Sequence, residues 1–195
     1  MTTAALLLAA GGATRFHGDR SKLVTAFRGR PLFEWSLLAA SGAGCDEVVV
    51  VDGACDLSKW VGSSVSLLHN RSWASGQATS LRVGIAWCSD QGHDEVLVGL
   101  GDQPLIPASA WRSVRLAPPS PVAVATYGQR RGHPVRLSRQ LWPMLPIDGD
   151  RGARDLMRDH PELVLEVPCE GAAADIDTLA DLASWTPVNT DRREG

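Results

Sequence analysis

The sequence predicts an α/β protein with a mostly parallel β-sheet that is covered by helices on both faces. Two observations lead to this prediction. Residues 4–10 form a near-continuous apolar run, and residues 46–52 contain four consecutive valines, which is typical of parallel strands buried on both faces. Segments with the apolar spacing of helices alternate with these runs along the chain. In such a sheet we expect a ligand beyond the carboxyl ends of the strands.

The remaining elements are predicted from apolar runs, helical spacing and turn residues. Further strands are predicted at residues 65–69, 95–100, 122–126, 132–137 and 164–167. Helices are predicted from Pro31 to Gly42 or Gly44, and at residues 56–61, 76–88, 108–116, 138–145, 152–160 and 178–183. Because the chain shows no repeat or linker, residues 1–185 are expected to form one domain, followed by a polar tail at residues 186–195.

Composition and charge narrow the class of protein. Of 195 residues, 44% are hydrophobic and 21% charged, and the formal net charge is −3. This is a globular composition, and the negative charge argues against a role in coating nucleic acid. The N-terminal apolar run lacks a basic region, and no run approaches the ~20 apolar residues of a membrane span, so we expect a cytoplasmic protein. The four scattered cysteines form no C-x-x-C pair, which favours buried thiols over a zinc site or disulfides.

The segment LLLAAGGATRFHGDRSKL, residues 6–23, is the strongest candidate for a ligand site. A predicted strand breaks there at Gly11 and Gly12, and successive backbone N–H groups of such a turn form a concave nest for an anion. Arg15 can bind phosphate oxygens through two N–H groups, and Lys22, one of only two lysines in the chain, can supply a compact charge. These residues favour a nucleotide phosphate site. An ordinary glycine-rich turn is the alternative, since neither G-x-G-x-x-G nor G-x-x-x-x-G-K-[ST] is present.

Acidic residues at two places in the sequence offer candidate magnesium ligands. Asp102 directly follows the predicted strand EVLVGLG and would lie at the same sheet edge as the glycine-rich turn. Mg²⁺ prefers hard oxygen ligands and is commonly held by one or two carboxylates together with substrate phosphates. Asp175 and Asp177 alternate in an extended segment and would point to one side. The residues alone leave other interpretations open: Asp102 could begin a turn before Pro104, and the second pair could lie at a helix N-terminus.

Three further features each have two interpretations. Trp73 lies in a polar loop, where ligand contact and packing are equally favoured. The same holds for His133 in the GHPV segment. Seven arginines between residues 130 and 158 could bind an acceptor phosphate. Aspartates interleaved with them favour a solvated, salt-paired surface instead, with Arg151 and Arg154 the two arginines worth testing.

Several motifs together resemble the MobA-like nucleotidyltransferases, which are related to the molybdenum cofactor enzymes. LAAGGATRFHGDRSKL resembles the signature loop of that family, and NRSWASGQATSLRVGI, GLGDQPLI, RRGHPVRL, GDRGARDLM and DIDTLADL follow in the family's order over residues 4–183. The likeness is greatest to the molybdenum cofactor cytidylyltransferase branch, because LAAG precedes the loop and GHPV and DIDT occur downstream. His17 departs from the pattern, since the family often has glycine there.

The resemblance implies a Rossmann-like fold of the nucleotide-diphospho-sugar transferase type and a role for each matched residue. It assigns the nucleotide to Ala10, Gly11, Gly12, Ala13, Thr14, Arg15, Lys22, Gly76, Gln77, Ser80 and Asp102, with the base on Gly76, Gln77 and Ser80. Within this set, Arg15 would bind the leaving β- and γ-phosphates, and Lys22 would act on the α-phosphate as charge builds there. Asp102 and Asp177 would hold Mg²⁺. Gly132, His133 and Pro134 would line the acceptor side.

The reaction implied by the resemblance is the Mg²⁺-dependent transfer of CMP from CTP to the phosphate of a molybdopterin-type cofactor, with release of pyrophosphate. A molybdoenzyme that receives the product would be a further partner, whereas no nucleic acid or membrane partner is expected. The alternatives are GTP in place of CTP, another small phosphate acceptor, and a non-catalytic accessory protein that binds the nucleotide or the cofactor. Two separated candidate metal ligands favour an enzyme over a pure binder.

Overall fold

The structure is a computed structural model in which residues 1–12, 21–146, 149, 153–172, 174, 181 and 184–185 are described. The expected polar tail at residues 186–195 and the expected last helix at 178–183, apart from Asp181, lie outside the described residues. The expectation of one domain over residues 1–185 therefore stays a prediction. Among the described residues, no helix is both long enough and apolar enough to cross a bilayer.

A seven-stranded sheet forms the centre of the described fold. Its strands are β1 (Thr3–Leu8), β4 (Glu47–Asp52), β5 (Val65–His69), β6 (Glu95–Leu100), β7 (Val122–Tyr127), β8 (Arg130–Ser138) and β9 (Val164–Pro168). They lie in the order β5-β4-β1-β6-β8-β7-β9. All neighbours pair in parallel except β8, which runs antiparallel to both β6 and β7. Two short strands, β2 (Ala26–Phe27) and β3 (Arg30–Pro31), form a separate antiparallel pair. The predicted mostly parallel sheet is thus confirmed.

Four α-helices are described: α1 (Leu32–Ser41), α2 (Gln77–Asp90), α3 (Ala108–Arg115) and α4 (Arg154–Asp159). Helix α2 packs on one face of the sheet, and α1 packs on the other together with α3. Strand β1 shows why helices must pack on both faces of the sheet. Its side chains alternate between the faces, so that Leu6 belongs to one apolar core and Leu7 to the other, and both are fully buried.

Two predicted helices differ in the structure. Residues 56–61 form turns rather than a helix. The backbone N–H of Trp60 donates to the carbonyl of Leu57 at 2.9 Å, and a segment this short gains too few such bonds to offset the cost of helix nucleation. Residues 138–145 contain the 3₁₀-helix Arg139–Met144. Pro143 inside it lacks the N–H that an α-helix would need.

A buried arginine fixes the connection between α3 and β7. Arg136 on β8 is 3% exposed, and its guanidinium donates to the carbonyls of Arg115, Ala117 and Pro118 at 2.7–2.9 Å. Its Nε lies 3.5 Å from a carboxylate oxygen of Glu95. A charge buried in this way is tolerated only because carbonyl dipoles and an opposite charge surround it.

We expect Arg136→Met to lower the free energy of unfolding by about 3–5 kcal/mol, because the buried Glu95 and the three carbonyls would lose their shared partner. Urea unfolding at neutral pH measures this change. Arg131→Met is the matched control, since Arg131 is an exposed residue of the same strand, β8. Its ion pair with Glu166 of β9 should contribute no more than about 1 kcal/mol. Equal losses in the two variants would contradict the role given to Arg136.

Candidate active site

The carboxyl ends of β1, β4 and β6 meet at one edge of the sheet. The backbone N–H of Gly101, just after β6, donates to the carbonyl of Leu8 at 2.8 Å. The N–H of Ala54, just after β4, donates to the carbonyl of Ala10 at 3.1 Å. These bonds hold the chain that leaves β1 between the two neighbouring strands. The next two residues, Gly11 and Gly12, are exposed at this edge, where a ligand can reach their backbone.

Lys22 and Asp102 form an ion pair at the same edge. The Nζ atom of Lys22 lies 2.7 Å from Oδ2 of Asp102, with side-chain exposures of 9% and 22%. Lys22 begins a short 3₁₀-helix, Lys22–Val24, and Asp102 is the second residue after the end of β6. Two residues separated by 80 positions in the sequence thus place a cation beside a carboxylate. Both groups are partly shielded from water, so the attraction between them is stronger than it would be in bulk solvent.

Trp73 covers the turn that follows β1. It lies in the 3₁₀-helix Trp73–Ser75, and its ring packs directly over Gly12. Its Cβ approaches Gly53 at the end of β4. Of the two interpretations of Trp73, the structure therefore shows packing against the glycine-rich turn.

The segment assigned to the base begins helix α2. Gly76 has φ +108° and ψ 166°, a backbone conformation that favours glycine, and Gln77 is the first helical residue. Ser80 is 3% exposed, and its hydroxyl accepts a hydrogen bond from the side-chain amide of Asn70 at 2.9 Å. Among these three residues, Gly76 and Gln77 are the more accessible, while Ser80 faces the protein interior.

The segment assigned to the acceptor lies on β8 beside α2. Gly132 and His133 are half-buried, Pro134 is buried, and the His133–Pro134 peptide bond is cis. The hydroxyl of Tyr127 donates to the His133 carbonyl at 2.7 Å. A cavity of about 30 Å³ is lined by His133 and Gln77, together with Arg154 and apolar side chains. Residues assigned to the base and to the acceptor thus share one small cavity.

Burial, together with the smaller effect of the positive charge of Arg154, lowers the pKa of His133 to about 4, while the carboxylate of Asp102 opposes both effects. The imidazole is therefore neutral near pH 7 and can act as a hydrogen-bond donor and acceptor without adding charge. The influence of Asp102 also indicates that the acceptor segment and the Lys22–Asp102 pair belong to one electrostatic environment.

The predicted site residues fall into three groups. Ala10, Gly11, Gly12, Lys22 and Asp102 meet at the sheet edge, and Gly76, Gln77, Ser80, Gly132, His133 and Pro134 lie on the adjoining elements. Ala13, Thr14, Arg15, His17, Arg151, Asp175 and Asp177 lie outside the described residues. Within the described part of the chain, no three histidine, cysteine or acidic side chains are grouped as a metal site.

Asn70 is a supporting residue beside the candidate site to which the sequence analysis gave no role. It is 3% exposed, its amide donates to the hydroxyls of Thr79 and Ser80 at 2.9 Å, and its Oδ1 accepts the N–H of Ser72 at 2.9 Å. The last bond is an Asx turn, which an asparagine followed by arginine and serine between two predicted elements could have signalled.

The chain belongs to the MobA-like NTP transferase family, whose domain model matches residues 5–164. It is therefore a nucleotidyltransferase by family, and its sheet and helices have the α/β architecture of the nucleotide-diphospho-sugar transferases, as predicted.

Two curated relatives align over nearly their whole length. Nicotine blue oxidoreductase of Paenarthrobacter nicotinovorans is 32% identical over 192 residues, covering 91% of this chain and 93% of the relative. Purine catabolism protein PucB of Bacillus subtilis (strain 168) is 26% identical over 187 residues, covering 89% and 90%.

Solved structures show the same architecture. Rv0371c of Mycobacterium tuberculosis H37Rv superposes with a TM-score of 0.79 at 25% identity, covering 94% of this chain and 96% of that one. Its manganese complex gives 0.79 at 22% identity, with coverages of 94% and 97%. A nucleotidyl transferase from Methanothermobacter thermautotroptrophicus gives 0.80 at 20% identity, with coverages of 94% and 95%.

The lowered pKa of His133 predicts a pH dependence of stability. Between about pH 4 and 6.5, the unfolded chain binds a proton that the folded chain does not, so the free energy of unfolding should fall as the pH falls through this window. We expect His133→Asn to remove this component. Urea unfolding of the wild type and of His133→Asn at several pH values measures this pH-dependent part of the free energy. His160→Asn is the control, because the side chain of His160 is 42% exposed. A His133 imidazole that titrates near 6.5 by NMR would contradict the prediction.

Proposed function

We propose that this protein transfers CMP from CTP to the terminal phosphate of a molybdopterin-type cofactor in a Mg²⁺-dependent reaction that releases pyrophosphate. The observation that carries the proposal is the Lys22–Asp102 pair, 2.7 Å apart at the carboxyl edge of a sheet where a glycine-rich turn also ends. A cation for a phosphate, a carboxylate for a metal and exposed backbone N–H groups are the components that nucleotidyl transfer requires. The cytidylyl branch and the pterin acceptor are supported by motif resemblance.

The donor chemistry of the site fits a hard divalent cation. Asp102 offers carboxylate oxygens at the edge where a triphosphate would lie, and Asp177 is the proposed second ligand. The manganese complex of Rv0371c supports a divalent metal in this fold. When bound, the metal would neutralise phosphate charge and fix the orientation of the triphosphate.

The chain's own residues would act by position and charge. The acceptor phosphate oxygen attacks the α-phosphorus in line, the bond to the β-phosphate oxygen breaks, and pyrophosphate leaves, so no protein nucleophile is needed. Lys22 is proposed to stabilise the negative charge that grows on the α-phosphate, and Arg15 the charge on the leaving pyrophosphate. The backbone from Ala10 to Thr14 would hold the triphosphate, Gly76, Gln77 and Ser80 would place the base, and Gly132, His133 and Pro134 would place the acceptor.

We expect Lys22→Gln to lower kcat by about 10²–10³-fold while raising the Kd for CTP much less, because the lysine acts where charge develops in the transition state. Single-turnover kinetics and calorimetric CTP titration separate the two quantities. Lys59→Gln is the matched control, since Lys59 is the chain's other lysine and is exposed. A loss confined to CTP affinity would remove Lys22 from the chemical step.

The proposed reaction is tested by pyrophosphate release with purified protein, molybdopterin-type cofactor and Mg²⁺, comparing CTP with GTP and ATP. Release with CTP alone, abolished by EDTA and restored by added Mg²⁺, is the expected result. Release with GTP alone would agree with the proposed site and mechanism but would show that the protein is a guanylyltransferase. Binding of CTP without release from this acceptor would favour another small phosphate acceptor or a non-catalytic accessory protein.

One relative's name supports a second candidate function. Nicotine blue oxidoreductase is 32% identical over 91% of this chain, so an oxidoreductase activity is a specific alternative. The sequence lacks the G-x-G-x-x-G motif that binds dinucleotide cofactors in many such enzymes. Oxidation of a reduced nicotinamide nucleotide in the presence of nicotine blue, with no pyrophosphate release from any nucleoside triphosphate, would favour the oxidoreductase.

A further inference from the structure

Trp73 lies between the two parts of the site that are assigned to one nucleotide. On one side its ring covers Gly12 in the turn after β1, which is assigned to the phosphates. On the other side, it is three residues from Gly76, where the segment assigned to the base begins. We propose that Trp73 is a positioning residue that sets the Gly11–Gly12 turn at a fixed place relative to the start of α2. This inference rests on the proposed nucleotide site.

The loop that carries Trp73 is itself held firmly. Asn70 fixes its beginning through the N–H of Ser72, and fixes α2 through the hydroxyls of Thr79 and Ser80, all at 2.9 Å. The hydroxyl of Thr79 in turn donates toward the carbonyl of Gly76 at 2.8 Å. Because one buried amide bonds both the loop and the helix, the loop that carries the tryptophan is tied to the base segment.

The glycine at position 12 is explained by this ring. A Cβ on Gly12 would lie 2.6 Å from Cζ3 and 2.9 Å from Cη2 of Trp73, closer than Cβ atoms approach other atoms in proteins. A Cβ on Gly11 would have no atom within 4 Å. Packing against Trp73 therefore leaves no room for a side chain at position 12. At position 11, the described residues impose no such steric limit.

Gly53 provides a built-in comparison. A Cβ there would lie 2.8 Å from the Cβ of Trp73, 2.9 Å from the Cβ of Ala10 and 3.0 Å from the Ala10 carbonyl oxygen. Truncating Trp73 to alanine removes the ring above Gly12 but keeps the Cβ that faces Gly53. The two glycines contact the same tryptophan, yet only the clash at position 12 can be relieved by removing the ring.

The experiment is a suppressor test that uses calorimetric titration with Mg²⁺ and CTP. Gly12→Ala is expected to raise the Kd for CTP about 10-fold or more and to lower the Tm by roughly 5 °C, since the ring and the turn must separate. Trp73→Ala alone is expected to raise the Kd by about 3- to 10-fold, because the turn loses its support. In Trp73→Ala, adding Gly12→Ala should change the Kd by no more than about twofold. Adding Gly53→Ala to the Trp73→Ala variant should change the Kd for CTP and the Tm as much as Gly53→Ala does in the wild type.

A control variant separates positioning from general stability. Trp87→Ala removes another half-buried indole, one bonded to Glu47 away from the proposed site, and should lower the Tm without changing the Kd for CTP. Trp73→Ala should change the Kd. If Gly12→Ala raises the Kd equally in the wild-type and Trp73→Ala backgrounds, Gly12 acts on the phosphate directly and the inference is wrong. If the wild type binds no nucleoside triphosphate, the proposed function fails. The packing of Trp73 on Gly12 is then tested by the Tm alone: Gly12→Ala should lower the Tm less in the Trp73→Ala variant than in the wild type.

Discussion

The structure depends on the central strand β1, which is hydrogen-bonded on both sides and buried on both faces. It pairs in parallel with β4 and β6 in continuous register, and its residues Thr3–Leu8 are all buried. Because all three strands run in one direction, their carboxyl ends come to the same edge, and the loops that follow them converge. The burial of a few apolar side chains thus determines where polar, ligand-binding groups can gather. The hydrophobic effect that stabilises the sheet also locates the site.

At that edge, charge is arranged before any substrate arrives. Lys22 and Asp102 neutralise each other at 2.7 Å in a partly shielded position, which makes it less costly to keep both charges there. The neighbouring imidazole of His133 stays neutral because burial and Arg154 keep its pKa low. A triphosphate with its metal would offer each member of the ion pair a new partner of opposite charge. The site is therefore suited to exchange one set of charge pairs for another, which is the main requirement of nucleotidyl transfer.

Packing and chemistry overlap in the glycine-rich turn. A glycine beside a proposed phosphate site is usually explained by the approach of the ligand to the backbone. Here Gly12 is also covered by an indole ring that is held in place through the buried Asn70. The proposed position of the turn relative to α2 thus depends on a buried polar network as well as on the glycines themselves. Such supporting contacts commonly decide whether reactive groups meet at the correct distance.

The sequence by itself determined the α/β class, the parallel strands and the family, because uninterrupted apolar runs and a series of ordered motifs are local signals. The sequence also indicated Lys22 and Asp102 as candidate site residues, and in the tertiary structure these two residues form an ion pair. It could not place β8 antiparallel between two strands, since strand direction depends on how the chain returns to the sheet. Residues 56–61 were predicted wrongly as a helix, because a segment this short gains too few backbone hydrogen bonds to offset the cost of helix nucleation. Only the tertiary structure decided that Trp73 covers Gly12 and that His133 is neutral. Both properties arise from neighbours distant in sequence, and contacts of that kind leave no periodic pattern along the chain.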